Sequence, residues 1–224
     1  MTPSGEADSA SGRTIRIGIT GPIGCGKSTI ASWLGERPDV VVVDADRVAR
    51  DVLDRGEPAL DAVIARFGRR LLGPDDELDR GALGRLVFAD PAALRDLEAI
   101  VHPAVRPRIL AAIAKAEADG AAAVVVEAIK LVEGGLGAVC DEIWLVTCDP
   151  EAQRSRLIAR GSSPEDADQR IVAQADLVAR VAPAASRRLE TSGDPGESRT
   201  TAFAALDAAL QQRPHRDEER VERG

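Results

Sequence analysis

The chain has 224 residues, a hydrophobic content of 44%, a charged content of 29% and a formal net charge of −8. This composition is typical of a globular protein with one large core and a smaller appended unit. The negative charge argues against nucleic acid or an acidic membrane as a partner, and no apolar run is long enough to span a bilayer. A phosphate-binding site in such a chain must concentrate its positive charge on a few lysines and arginines.

Cysteine usage favours a reducing compartment. Cys25, Cys140 and Cys148 show no zinc-binding spacing, and three cysteines cannot all pair within the chain. Residues 1–12 are polar, lack the apolar core of a signal peptide and are expected to form a disordered extension. The simplest setting is therefore the cytoplasm.

The first ordered element is a phosphate-binding loop at residues 21–28. Its sequence, GPIGCGKS, fits the Walker A pattern G-x-x-x-x-G-K-[ST]. The β-branched run at 15–20 before it predicts a buried strand, and 29–34 after it predicts a helix that Gly35 ends. This strand–loop–helix context is the one in which the pattern binds nucleotide phosphates.

Each residue type in the loop has a chemical role. Glycines let backbone N–H groups approach phosphate oxygens, and the helix that follows adds a partial positive charge. Lys27 can reach the β- and γ-phosphates, and the hydroxyl of Ser28 can bind Mg²⁺. The residues expected to bind the nucleotide in this segment are Gly21, Ile23, Gly24, Cys25, Gly26, Lys27, Ser28 and Thr29.

Cys25 has two readings at its place in the loop. A thiol at a helix N-terminus can have a lowered pKa and be reactive. The alternative is a small residue that only fills a loop position.

Two aspartates follow a second predicted strand at 39–44. Asp44 and Asp46 lie at its carboxyl end, where open α/β sheets place their active groups. Alternation along an extended segment predicts that both side chains face the same side, where one could accept the proton of an acceptor hydroxyl. The alternative is that both cap the next helix or pair with Arg47 and Arg50.

The remaining chain predicts helices between further strands. From 47 to 117 no strong strand occurs, and helical periodicity marks residues 48–53, 59–67, 81–88, 92–100 and 106–118. Strands are expected at 121–127, 142–148 and 187–191, and a final helix at 198–210. Residues 149–180 are helical with an interruption at 161–164, and they carry Arg154, Arg156 and Arg160.

This order of elements predicts an α/β fold. We expect a P-loop kinase core with a mainly parallel five-stranded sheet flanked by helices, a helical substrate domain and a helical lid. The core is assigned to 13–47, 121–149 and 181–212, the substrate domain to 48–120, the lid to 150–180 and a charged tail to 213–224. The order of the strands in space does not follow from this sequence.

A phosphate loop alone fits several nucleotide-binding classes, which other motifs separate. The chain has no N-K-x-D guanine signature, no D-x-x-G switch and no L-S-G-G-Q motif. A short chain with a late, arginine-bearing helical segment favours small-molecule kinases, in which a mobile lid excludes water from the transferring phosphoryl group. Arg156 and Arg160 are four residues apart, on one helix face, whereas Arg154 faces elsewhere.

Further motifs in the same order resemble the dephospho-CoA kinase family across residues 15–207. They are TGPIGCGKST at 20–29, VDAD at 43–46, AR at 49–50, GEPAL at 56–60, FG at 67–68, LDR at 78–80 with Leu83, VF at 87–88, LEAIVHP at 97–103, KLVE at 130–133, QRSRL at 153–157, Arg160, RI at 170–171 and Gln174. The resemblance implies Mg²⁺ and ATP as cofactors. It also implies phosphorylation of the ribose 3′-hydroxyl of dephospho-CoA, and we expect a monomer.

The resemblance also implies roles for single residues. Asp46 would be the base, with Asp44 beside it on the substrate side. The rest of the substrate side would be lined by Arg50, Arg80 and His102. In the lid, Arg156 would bind the nucleotide and Arg160 the transferring phosphate.

Some readings remain open. His102 could be a buried core residue and Arg80 an ordinary surface arginine. Glu127 ends the third strand, where it could organise magnesium or act as a cap. The family's third strand runs into a Pro-Leu-Leu turn, whereas the segment EAIK at 127–130 stands here, so Lys130 could add a phosphate contact or be simply exposed.

The adenine side also departs from the family. An Ala-Asp pair and an Asn before Gly are replaced by alanines at 184–185 and by LETSG at 189–193. Two other functions remain: a kinase for another nucleotide or metabolite, and a non-catalytic nucleotide-binding module.

Overall fold

The computed structural model describes residues 13–212, so the predicted extension at 1–12 and tail at 213–224 lie outside the described residues. Its centre is one five-stranded sheet with the order β2-β3-β1-β4-β5, and every pairing is parallel. The strands are β1 (Ile15–Thr20), β2 (Val40–Asp44), β3 (Ala123–Glu127), β4 (Glu142–Thr147) and β5 (Arg187–Glu190). The predicted α/β fold is confirmed, including the short fifth strand.

The strand residues follow from burial on both faces. All five residues of β3 are buried, and their side chains alternate between two hydrophobic clusters. Val124 and Val126 pack into the cluster of the long helical insertion, whereas Ala123 and Val125 pack on the other face. A parallel sheet covered by helices on both sides favours such continuous apolar runs over polar alternation.

Helices cover both faces of the sheet. Those of the core are α1 (Lys27–Leu34) and α9 (Pro195–Gln211), which pack on the same face. The insertion holds α2 (Ala45–Asp51), α3 (Pro58–Phe67), α4 (Arg80–Ala89) and α5 (Pro91–Ala118). The lid segment holds α6 (Pro150–Ala159), α7 (Pro164–Val172) and α8 (Leu177–Val181). Within residues 13–212, no helix combines the length and apolarity needed to cross a membrane.

The two helices predicted at 92–100 and 106–118 are wrong, because α5 is one continuous helix. It runs through Pro103 and Pro107, each of which removes a hydrogen bond to the carbonyl four residues earlier. Those carbonyls, of Ala99 and Pro103, belong to exposed residues, so water can bind them. Burial of the opposite face, including Ile109, holds the helix together.

Candidate active site

The phosphate loop connects β1 to α1 and depends on glycine geometry. Gly21 has a φ of 146°, and a Cβ atom there would lie 2.0 Å from the carbonyl oxygen of Val146. Gly26 precedes α1 in the left-handed conformation with a φ of 86°. No described side chain caps the start of α1, so its first N–H groups remain available to phosphate oxygens.

Lys27 extends along the inside of the loop. Its side chain is buried, and Nζ donates a hydrogen bond of 3.0 Å to the carbonyl oxygen of Pro22. Burial lowers the pKa of Lys27, while the nearby carboxylates of Glu127 and Asp46 oppose that change. The ammonium group thus lies between the loop and two acidic side chains, and its contact with the β- and γ-phosphates stays a prediction.

Glu127 closes the other side of the loop. The strand register places it beside Ile19 on β1 and beside Asp44 on β2, and Ser28 Oγ donates a 2.6 Å hydrogen bond to its Oε1. Burial raises the pKa of Glu127, and the Ser28 hydroxyl lowers it. Glu127 therefore contacts the hydroxyl that the sequence analysis assigned to magnesium, and its own part in binding magnesium stays a prediction.

The donor atoms at this point suit magnesium. A hydroxyl and carboxylates are the hard oxygen ligands that Mg²⁺ prefers. Among residues 13–212, no group of three His, Cys, Asp or Glu side chains could hold a metal by itself. Ser28, Glu127 and the phosphates of a nucleotide would together supply such a set, as is usual for Mg²⁺ in kinases.

The expected arrangement of Asp44 and Asp46 is wrong, because α2 begins directly after β2. Asp44 is the N-cap of α2, and its Oδ1 accepts a 3.0 Å hydrogen bond from the backbone N–H of Arg47. Asp46 lies in the first turn of α2 rather than on an extended strand. The capping alternative is therefore correct for Asp44 and not for Asp46.

Asp46 faces a cavity beside the loop. Its carboxyl group makes no hydrogen bond with another side chain or with the backbone of residues 13–212. Protein around the carboxyl group raises its pKa even though the side chain still reaches solvent through the cavity, and the charge of Asp44 adds to this rise. Lys27 and Arg50 act in the opposite direction. A carboxylate with a raised pKa beside a phosphate-binding lysine is suited to accept a proton.

The cavity at Asp46 has a volume of about 370 Å³ and mixed walls. His102, Arg106, Lys130 and Gln174 supply polar groups, and the apolar lining includes Val101, Val105, Ala128 and Leu136. His102 is exposed, so the reading of a buried core histidine is wrong. The cavity is large enough for part of a second substrate, and the carboxyl group of Asp46 lies in its lining.

Arg50 and Arg80 lie together beside this region. Arg80 donates hydrogen bonds to the carbonyl oxygen of Arg50 (3.0 Å) and to Oδ1 of Asp54 (2.8 Å). The structure therefore joins the two predicted substrate-side arginines, with Arg80 in an exposed ion pair and Arg50 close enough to influence Asp46.

A second cavity, of about 250 Å³, lies on the other side of the loop. It is lined by Gly26, Thr29, Trp33, Arg156, Arg160 and Thr191, among others. Arg154 is directed elsewhere, because its guanidinium pairs with Asp168 on α7 at 2.7 Å. The structure therefore brings together the two lid arginines that the sequence assigned to the nucleotide and separates the third from them.

Three residues that sequence reasoning did not assign tie the lid to the loop. Thr191 accepts a hydrogen bond from Arg156 and donates one of 2.9 Å to the carbonyl oxygen of Cys25. Gln153 donates to the carbonyl oxygen of Ile23, and Gln174 accepts from its N–H, both at 2.7 Å. In the sequence, the two glutamines were marked only because they belong to the motifs shared with the family.

Cys25 has neither of its predicted roles. It forms a disulfide with Cys148, which follows β4, with a Cα–Cα distance of 5.2 Å. Cys140 is the free cysteine of the described residues, and burial raises the pKa of its thiol to about 11. The bond joins the phosphate loop directly to the neighbouring strand of the sheet.

The parallel sheet, the phosphate loop, the two cavities and the overlying arginine-bearing helices define a P-loop kinase. The dephospho-CoA kinase family matches residues 15–192, and the chain belongs to that family. A dephospho-CoA kinase of Symbiobacterium thermophilum is 43% identical over 194 residues, which cover 86% of this chain and 80% of that protein. One of Synechococcus elongatus is 39% identical and covers 88% of this chain and 91% of its own.

Solved structures agree with the fold. A Thermus thermophilus protein, TT1252, is 35% identical with a TM-score of 0.74, covering 88% of this chain and 98% of that one. A dephospho-CoA kinase from Campylobacter jejuni, at 22% identity, has a TM-score of 0.65 and covers 88% and 97% of the two chains. At that identity the second likeness concerns the fold alone.

Proposed function

We propose that the enzyme transfers the γ-phosphoryl group of ATP to the ribose 3′-hydroxyl of dephospho-CoA, which gives CoA and ADP, the last step of CoA synthesis. The observation that carries the proposal is the position of Asp46. It lies beside Lys27 of the phosphate loop and also lines the cavity on the side away from the lid arginines. A carboxylate that lines the acceptor cavity and lies beside the phosphate-binding lysine suits direct transfer between two bound substrates.

On the nucleotide side, the residues of this chain bind and neutralise phosphate groups. The loop amides from Gly24 to Thr29 hold the phosphate oxygens, and Lys27 reaches the β- and γ-phosphates. Arg160 balances the charge that develops on the transferring group, while Arg156 stays on the nucleotide side with Thr191. Bound magnesium, held through Ser28 and the phosphates, would neutralise further charge on the phosphate oxygens.

On the acceptor side, Asp46 takes the proton from the 3′-hydroxyl while the hydroxyl oxygen forms the bond to the γ-phosphorus. The bond between that phosphorus and the bridging oxygen of ADP breaks in the same transfer. The raised pKa of Asp46 strengthens its carboxylate as a base. Asp44, Arg50, Arg80 and His102 line the acceptor side around it.

The proposal includes a monomeric enzyme in the cytoplasm. The phosphate loop, the lid arginines and Asp46 all come from the same chain, which supports a monomer. ATP and the acceptor are intracellular metabolites, which supports the location. Dephospho-CoA is the partner that the proposal names.

One assay separates this function from the alternatives. Purified protein is incubated with Mg²⁺, ATP and one acceptor at a time, with dephospho-CoA, shikimate, nucleoside monophosphates and nucleosides as the panel, and ADP is followed. We expect ADP with dephospho-CoA and the appearance of CoA in equal amounts. ADP with another acceptor alone would identify a different kinase, and none with any acceptor would favour a nucleotide-binding module.

A further inference from the structure

Lys130 adds positive charge to the cavity that holds the proposed base. His102, Arg106 and Lys130 all line this cavity, and Asp46 lines it as well. In a chain with a net charge of −8, the two positive charges of Arg106 and Lys130 at one cavity require a reason. Lys130 also belongs to the segment in which this chain departs from the family's Pro-Leu-Leu turn.

The backbone around Lys130 is held firmly, so the base of its side chain has a defined place. Ala128 and Leu131 are buried on either side of it. The N–H of Gly134 donates a 2.7 Å hydrogen bond to the carbonyl oxygen of Lys130, and a Cβ atom at Gly134 would lie 2.7 Å from that oxygen. This tight turn holds the backbone of Lys130 in place at the cavity that the residue lines.

The present partner of Lys130 is Glu98 on α5, with which it forms an ion pair. The lysine side chain is 55% exposed, and exposed pairs contribute little to stability. Such a pair exchanges easily for a stronger partner. It keeps the ammonium group beside the cavity until an anion arrives, and it balances the charge of Glu98 meanwhile.

We propose that Lys130 binds the diphosphate of the acceptor and thereby helps to select an acceptor that carries one. This inference rests on the proposed function. In dephospho-CoA the diphosphate is attached at the 5′ position of the ribose whose 3′-hydroxyl reacts. A hydroxyl at Asp46 therefore places the diphosphate within the same cavity, where Lys130 meets it as a point charge and leaves Glu98.

The test compares four variants with the unchanged protein. Lys130→Met removes the charge, Lys130→Arg keeps it, and Glu98→Gln releases the lysine from its partner. Lys115→Met is the matched control, because Lys115 lies in an exposed ion pair with Asp119 away from both substrate cavities. For each, we would measure KM for dephospho-CoA and for ATP, kcat, the Kd for dephospho-CoA by calorimetry, and Tm.

The expected pattern is confined to the acceptor. Lys130→Met should raise KM and Kd for dephospho-CoA about tenfold, since it removes one charge-assisted phosphate contact. Lys130→Arg should restore most of the affinity, and Glu98→Gln should tighten binding up to about threefold. Lys115→Met should change none of these values, and KM for ATP should stay constant throughout.

Other outcomes would overturn the assignment. An unchanged Kd for dephospho-CoA in Lys130→Met would leave Lys130 as part of a surface ion pair only. A rise in KM for ATP instead would place the lysine at the nucleotide phosphates. If the unchanged protein binds dephospho-CoA and phosphorylates it but Lys130→Met behaves identically, this inference fails alone; if it neither binds nor phosphorylates dephospho-CoA, the proposed function fails with it.

Discussion

In the proposed reaction, the carboxyl group of Asp46 accepts the proton of the 3′-hydroxyl, and replacing Asp46 tests that role. Asp46→Asn should lower turnover by about 10²–10⁴-fold, which is roughly 3–5 kcal/mol of barrier, because a positioned base contributes that much. ATP affinity should survive, since Lys27 and the loop amides remain. Turnover with saturating dephospho-CoA and ATP affinity are measured together, with Asp51→Asn on the same helix as the control.

Two results would contradict this role. A loss of turnover below tenfold would mean that Asp46 is not the base. Collapse of ATP binding along with turnover would place Asp46 in the organisation of magnesium or the loop.

The folded protein raises the pKa of Asp46, so ionised Asp46 destabilises the fold as pH rises above its unfolded-state pKa. Asp46→Asn should therefore not lower Tm at neutral pH.

The charge of Asp44 gives a second test at the same scale, through pH. Asp46 can accept a proton only when it is ionised, so kcat/KM should fall as pH falls through its raised pKa. Asp44 contributes to that rise, and Asp44→Asn removes its charge while keeping a good helix cap. The acidic limb of the kcat/KM profile should therefore move to lower pH. An unmoved limb would show that another group controls it.

At the scale of elements, the arginines of the lid segment differ in what their side chains contact. Arg160 directly follows α6 and lines the nucleotide cavity, while Arg154 joins α6 to α7 through Asp168. Arg160→Ala should reduce kcat by about 10³-fold or more, as loss of an arginine on a transferring phosphoryl group does. Arg154→Ala removes one exposed ion pair and should change kcat little. Equal effects, or the reverse order, would contradict the assignment of Arg160.

The lid also holds the loop through hydrogen bonds that periodicity does not reveal. Gln153 on α6 and Gln174 before α8 bind the carbonyl and the N–H of one loop residue, Ile23. Helical patterns predicted the lid segment well, because its caps and amphipathic spacing are local. Which of its polar residues meet the loop depends on how the segment folds back over it, and that arrangement is decided by distant contacts.

At the scale of the whole molecule, the Cys25–Cys148 disulfide links parts of the chain that are 123 residues apart. A cross-link over so long a loop restricts the unfolded chain, and the chain-entropy estimate of its stabilisation is about 3–5 kcal/mol. Under oxidising conditions, Cys148→Ser should lower the free energy of unfolding by an amount within that range. Denaturant unfolding with and without a dithiol reductant measures it.

Cys140→Ser provides the control for this experiment. Like the unchanged protein, it should lose stability when the reductant is added, because its disulfide partners remain. Cys148→Ser should be insensitive to the reductant. If the unchanged protein keeps the same free energy of unfolding with and without reductant, the disulfide does not form in solution, and the predicted reducing setting would be the better description of these thiols.

The sequence by itself determined the features that depend on neighbouring residues. The phosphate loop, the buried strands and the arginine-bearing lid segment are local patterns, since glycine geometry, β-branched runs and helical spacing act over a few residues. The resemblance to a family then pointed to Asp46 rather than Asp44 as the base and to dephospho-CoA as the acceptor. The helix start at Ala45 was missed because Asp44, its N-cap, is also compatible with the last residue of the preceding strand.

Only the tertiary structure decided which distant residues meet. The strand order places Glu127 beside Asp44 and Ile19, and from there it reaches Ser28. It also brings Cys148 to Cys25 and places Lys130 in the lining of the cavity of Asp46. These contacts join residues separated by roughly 80 to 120 positions, with no pattern along the chain to mark them. Packing of the helices on both faces of the sheet selects them, because burial of the whole core, and not any local preference, fixes the strand order.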